Sequence, residues 1–306
     1  MKKIIYNYFL ILITFLISSY SWSQEITPED LFEKSLNTKD TAEKRILREE
    51  IAEKYPETEY GYFSKAYLES LKGHYEEAVS LYTKVIEINP HFKVAYLNRG
   101  LEHDNLKKYD RAISDYTKAI ELDPDYALAY NNRGIVYKEI KAYSEAISDY
   151  TKAIELNPDF AYAYNNRGTV YDEIKEYSKA ISDYTKAIEI NPYDANTYYN
   201  RGLSYFDLQN YTQAINDYTK AIELNPNNAR VYFNRGLAYY YMQNYTQAIN
   251  DYTKAIEINP DYAEAYNNRG IAYHKTENLS QACSDWQKAY HLGYKKALDL
   301  INAYCK

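Results

Sequence analysis

The side chains that could do chemistry are five histidines, two cysteines, 43 carboxylates and 40 tyrosines. His74, His91, His103, His274 and His291 fall at unrelated positions, and none has the H-E-x-x-H spacing that sets two imidazoles and a general base on one helix face. A metal site is therefore not expected, nor is a bound cofactor. No glycine-rich phosphate loop and no G-x-S-x-G nucleophile turn occurs. The carboxylates are abundant but recur with the 34-residue period of the chain, which suits a scaffold better than an acid–base pair. Intrinsic catalysis is not expected.

The elements that would carry these residues are written repetitively. Pro90, Pro124, Pro158, Pro192, Pro226 and Pro260 are 34 residues apart, and Gly100, Gly134, Gly168, Gly202, Gly236 and Gly270 share the interval. The unit from Ala127 differs from the unit from Ala161 at 8 of 34 positions. Within a unit, Tyr130, Gly134 and Tyr137, then Ala146, Tyr150, Ala153 and Ile154, recur at helical spacing, which predicts two amphipathic helices. The first should end near Lys141–Tyr143 and the second before Asn157, because the following proline disfavours helix.

The spacing Y-x2-R-G-x2-Y, then A-x3-Y, then proline resembles the tetratricopeptide repeat. Units start at Glu59, Lys93, Ala127, Ala161, Ala195, Ala229 and Ala263. The resemblance implies an all-α chain, a right-handed superhelical solenoid of helix-turn-helix repeats over residues 59–296. The first unit has Ala66 for the glycine and Val85 for the second alanine, and the last has Tyr294 for the proline, as end units often differ. Helices at Pro28–Leu36 and Thr41–Tyr55 suggest an N-terminal cap within residues 24–58, and Lys295–Tyr304 a closing helix, with 297–306 as C-terminal cap.

Before the cap, Lys2 and Lys3 lead an apolar run from Ile4 to Ile17 and a small-residue stretch through Ser23, the order of a signal peptide over residues 1–23. The expected location is exported, periplasmic or secreted. The alternative is an uncleaved membrane anchor; after cleavage no span remains. With 46% hydrophobic and 26% charged residues the body is that of a folded soluble chain, and a net charge of -7 argues against nucleic acid as partner. In an oxidising compartment Cys283 and Cys305, ten before and twelve after Gly293, would meet if the last helices form an antiparallel hairpin, and a disulfide is expected there; the alternative is two free thiols.

Arginine stands where the family usually has a large apolar residue: Arg99, Arg133, Arg167, Arg201, Arg235 and Arg269, each followed sixteen residues on by Asp115, Asp149, Asp183, Asp217, Asp251 or Asp285. In the first unit both change, to Lys65 and Leu81, so the two positions should face each other as structural ion pairs, within a unit or across adjacent ones. Six solvated arginines are the alternative.

In tetratricopeptide proteins one face of the first helix lines a concave groove. Its sixth position here is Asn98, Asn132, Asn166, Asn200, Asn234 and Asn268, amides able to pair with the backbone of an extended chain. Tyr199, Phe206, Phe233, Tyr240 and Tyr241 add aromatic groove positions in the fifth and sixth units, either anchors for a partner or rings packed between neighbouring repeats. The basic residues of a clamp for a C-terminal carboxylate are not assembled: the fifth position gives Leu97, Asn131 and Asn165, and the second gives Val94, Leu128, Tyr162 and Asn196 before Arg230. The expected function is a noncatalytic protein–protein interaction scaffold that binds an extended peptide or partner segment. The alternative is a structural or self-associating spacer of a cell-envelope complex, a homo-oligomer.

Overall fold

Helix signals at the front of the chain are strong. Thr27 accepts from the Asp30 N–H while Asp30 accepts from the Thr27 N–H, a reciprocal cap with Pro28 in the first turn, and this opens α1 (Pro28–Asn37). Asp40 caps α2 (Thr41–Lys54). The computed structural model describes residues 26–305, so the expected export segment, residues 1–23, lies outside the described residues.

Seven helix pairs follow: α3 (Glu59–Leu71) and α4 (Tyr75–Ile88), α5 (Lys93–Asn105) and α6 (Tyr109–Leu122), α7 (Ala127–Glu139) and α8 (Tyr143–Leu156), α9 (Ala161–Glu173) and α10 (Tyr177–Ile190), α11 (Ala195–Asp207) and α12 (Tyr211–Leu224), α13 (Ala229–Tyr241) and α14 (Tyr245–Ile258), and α15 (Ala263–Lys275) and α16 (Leu279–His291), closed by α17 (Ala297–Tyr304). No strand occurs among the described residues. The first helices end at a left-handed residue. In the first repeat it is Gly73 (φ 80°), but in the others it is Lys107, Lys141, Lys175, Gln209, Gln243 or Glu277, with φ between 56° and 63°. The closing helix begins two residues later than expected, because Gly293 (φ 95°) ends α16 and Tyr294 to Lys296 complete the turn.

By packing, the chain divides into two units at Pro124, α1–α6 in one and α7–α17 in the other. In each unit every helix packs on the next, and in the second unit successive first helices also touch, α7 on α9, α9 on α11 and α11 on α13. The repeated core is narrow: Ala146, Tyr150 and Ala153 and their counterparts are fully buried. The Tyr150 ring lies over Gly134, where an added methyl would come 2.8 Å from a ring carbon; in the last repeat Trp286 crowds Gly270 in the same way. The hydroxyls of Tyr116, Tyr150, Tyr218 and Tyr252 are buried without a hydrogen-bond partner among the described residues, because the glycine lets the ring sink to full depth. Tyr184 differs by donating to Asp172 at 2.7 Å.

The cap of the first unit holds a feature the sequence did not signal. Arg48 is 2% exposed, with its guanidinium 4.1 Å from the Phe32 ring centroid and 4.8 Å from that of Phe63. Burial pulls its pKa down to about 10. At the other end a disulfide joins Cys283 of α16 to Cys305, just past α17.

Candidate functional site

The six arginines at the seventh repeat position are each held in an ion pair. Arg167 donates from Nε and Nη2 to both oxygens of Asp183 at 2.8 Å, and Arg133–Asp149 and Arg201–Asp217 have the same two-pronged geometry. Arg99–Asp115, Arg235–Asp251 and Arg269–Asp285 match it. Each pair lies within one repeat. A third donor crosses to the repeat before: Arg167 Nη1 to Thr151 Oγ1 at 2.9 Å, and likewise Arg201 to Thr185, Arg235 to Thr219 and Arg269 to Thr253. The hydrogen bond with Asp183 raises the Arg167 pKa, against the opposing effect of burial. Where the arginine is missing, Lys65 instead reaches the Pro56 carbonyl and Leu81 packs on the core.

The six asparagines of the sixth position are all half-buried on the first helices. They do not form a row of identical free amides. Asn98 donates back to its own helix at Val94, Asn166 donates to Asn131 Oδ1 of the preceding repeat at 3.0 Å, Asn200 makes a long 3.4 Å contact to Asn165, and Asn234 donates to the Tyr199 hydroxyl at 2.8 Å. Asn132 and Asn268 accept from their neighbours Asn131 and Asn267. The fifth-position side chain decides the partner, and it varies along the chain. Asn166, Asn200 and Asn234 each use one amide hydrogen in these contacts, which leaves a second amide hydrogen and the amide oxygen.

The aromatic cluster is largely packed. Tyr241 is 55% exposed, but Tyr199, Phe206, Phe233 and Tyr240 are half-buried and packed between elements. Phe233 lies against Tyr252 and Tyr262, Phe206 against Tyr211 and Tyr241, Tyr240 against Tyr245, and Tyr199 against Tyr218. Most of these rings pack on tyrosines of their own repeat, while Phe206 meets Tyr241 of the next one, and Tyr241 is the most exposed of the five.

Two of the concavities of the second unit are lined by residues of these positions. The larger, about 810 Å3, has amide walls from Asn196, Asn200, Asn225, Asn227, Asn228 and Asn259, with Tyr199, Tyr262 and Arg230. Burial pushes the Tyr262 phenol up to about 12; it also raises Tyr199, against the opposing Arg230 charge. The smaller, about 170 Å3, is bounded by Leu237, Tyr240, Tyr241, Tyr252, Asn268 and Ile271, so its walls are mostly apolar. In the first unit Glu69, His74 and Glu77 bring ligand atoms within 4.8 Å of one another, a grouping invisible to motif spacing. Glu69 there already accepts from Lys72 and contacts His74, an exposed surface network.

Tetratricopeptide repeat models match residues 60–92, 94–126, 127–160, 161–194 and 183–216, and TPR repeat models match 202–243 and 236–276. Among solved structures the chain is similar to YrrB, described as a TPR protein with an unusual peptide-binding site, at 28% identity over 60% of this chain and 95% of that one, with a TM-score of 0.53. MamA shares 28% identity over 56% of this chain and 93% of its own, with a TM-score of 0.53. The C-terminal part of a TPR repeat-containing protein from Cytophaga hutchinsonii shares the fold at 22% identity, 78% and 98% coverage and a TM-score of 0.65. No match was found among curated proteins. With seven helix pairs in a 34-residue period and family matches running from residue 60 to 276, the chain belongs to the tetratricopeptide repeat family, whose members are protein–protein interaction scaffolds.

Proposed function

We propose that the protein binds an extended peptide or partner segment along the first-helix face of its second unit and carries out no catalysis of its own. The observation that carries this reading is the run of half-buried asparagines Asn166, Asn200 and Asn234, each with amide capacity left after its intramolecular contact. Such groups pair with the N–H and C=O of an extended chain whatever its side chains. Tyr241 supplies an exposed ring beside them, and the likeness to YrrB adds support. Export is part of the proposal: a disulfide between Cys283 and Cys305 suits an oxidising compartment, and no helix among the described residues is long and apolar enough to cross a membrane.

The test is replacement of Asn166, Asn200 and Asn234 together by Ala. Peptides selected from a displayed library against the parent chain should lose at least tenfold in affinity for the triple variant, while its far-UV circular dichroism stays unchanged. Equal affinity for the two proteins would remove the asparagines from the binding surface.

A further inference from the structure

We propose that the 810 Å3 pocket is a carboxylate-recognising subsite that takes an aspartate or glutamate side chain of the bound segment; the proposal rests on the groove reading above. The pocket exists because a ring is missing. The residue just before the first helix of a repeat is Phe92, Tyr126, Phe160 or Tyr262 in four repeats, but Asn228 in the sixth. What such a ring does is visible at Tyr262, which packs 4.9 Å from Phe233, the fifth residue of the preceding repeat. The residue in that register for Asn228 is Tyr199, and both line the pocket. A ring at 228 would occupy the space against Tyr199 that the pocket leaves open. Repeats one and five also lack the ring, having Thr58 and Asp194; Asn228 and Asp194 both cap the following helix, accepting from the Arg230 and Asn196 N–H, but Asp194 also accepts from the buried Thr197 hydroxyl, and neither Thr58 nor Asp194 lines this pocket.

Charge has changed at the same place. The residue after the linker proline is Asp125, Asp159 and Asp261 in three repeats, and Asn227 here. The lining contains no Asp or Glu and one cation, Arg230, in a chain of net charge -7. Unlike the arginines of the seventh position, exposed Arg230 forms no salt bridge among the described residues. Arg230 acts on the Tyr199 hydroxyl, and the nearest acid felt by the walls, Glu264 beside Tyr262, is outside the lining, so a guanidinium among amide donors is matched by a carboxylate, which accepts charge-assisted hydrogen bonds. A neutral sugar is the poorer fit, since its hydroxyls also need strong acceptors and amide oxygens are the best on offer. Asn200 is itself a wall of the pocket and Asn234 holds its Tyr199 wall, so a backbone held by those amides passes over the opening and would present an internal side chain to it.

The experiment selects peptides from a random dodecamer library displayed on phage against the full chain, then measures the best of them, synthesised with both ends blocked, by fluorescence anisotropy. The expected result is an acidic residue at one register. Changing it to its amide should weaken binding about tenfold or more, Arg230→Gln should do the same, and the two losses should not add. Asn228→Tyr, which restores the ring that Tyr126 and Tyr262 provide elsewhere, should abolish binding without loss of fold. Selected peptides without a common acid, or acidic peptides that bind the Arg230→Gln and Asn228→Tyr proteins as tightly as the parent, overturn the subsite and leave the groove reading standing. Binding that requires a free peptide C-terminus assigns the carboxylate to a chain end and also overturns it. Maltotriose binding lost in Asn228→Tyr but kept in Arg230→Gln overturns it in favour of a sugar site. Failure of the groove reading shows separately, as Arg230-dependent binding that survives the triple asparagine replacement.

Discussion

Replacing Arg167 by Met tests the internal frame on which the binding face is built. The side chain of Arg167 is 16% exposed and that of Asp183 is 8% exposed, so the substitution leaves a carboxylate nearly out of water with both of its guanidinium bonds gone. Removing one partner of a buried ion pair costs about 3–5 kcal/mol. The residual exposure of Arg167, and the apolar packing that the methionine stem retains, place the expected loss at the low end, roughly 3 kcal/mol. At about 2 °C per kcal/mol for a chain of this size, the melting temperature should fall by about 6 °C. The first repeat shows how the cost is avoided, since Lys65 and Leu81 replace both members of the pair. Arg167→Met combined with Asp183→Leu should therefore recover to within about 1 kcal/mol of the parent. Thermal circular dichroism, with hydrogen exchange to localise the loss to the fourth repeat, reads both effects. An unchanged melting temperature for the single variant, or a double variant no more stable than the single, would refute the pairing as a stabilising constraint.

Three further outcomes follow from individual residues. Burial raises the pKa of Asp172, against the hydrogen bonds it accepts from Ser204 and Tyr184, so the folded state holds its proton more tightly than the unfolded chain and stability is lost as pH rises through that pKa; Asp172→Asn should be more stable than the parent at pH 7, and the advantage should vanish in acid, as equilibrium urea unfolding will show. Reducing the bond between Cys283 and Cys305, which closes a 22-residue separation, should cost about 3 kcal/mol and be seen first as faster amide exchange in α17. Lys175→Gly relieves a left-handed strain of roughly 1–2 kcal/mol, less the ~0.5–1 kcal/mol of added backbone freedom in the unfolded chain, for a net gain of about 0.5–1 kcal/mol in urea titration.

The architecture could be read from the sequence because it is carried by residues that repeat: the proline that stops each second helix, and the glycine that admits the tyrosine ring. Each signal recurs in six of the seven repeats and so survives the atypical ends. The arginine and aspartate were legible for a related reason, since their joint loss in the first repeat exposes a contact between positions sixteen residues apart. The six left-handed turn residues were not legible. Lysine, glutamine and glutamate give no local hint of positive φ, which the packing of the two helices imposes. Nor could the asparagines' partners be read from their own position, because the fifth residue of the preceding repeat determines them: Asn131 accepts from Asn166, and Tyr199 from Asn234.

The larger pocket lies at the limit of what repetition can disclose. Its residues are departures from the repeat, and a departure carries meaning only when the role of the usual residue is known. Asn228 in the sequence is one polar residue in a linker of polar residues. Beside the contact of Tyr262 with Phe233 it becomes a ring withheld from a gap of known size. Asn227 likewise becomes an acid withheld beside Arg230. Two neighbouring departures that act on the same space, one opening it and one removing its negative charge, fit selection for a ligand better than drift at a surface position would. In a nearly periodic scaffold, specificity is to be sought where the period fails and the packing of the other copies shows what the failure removed.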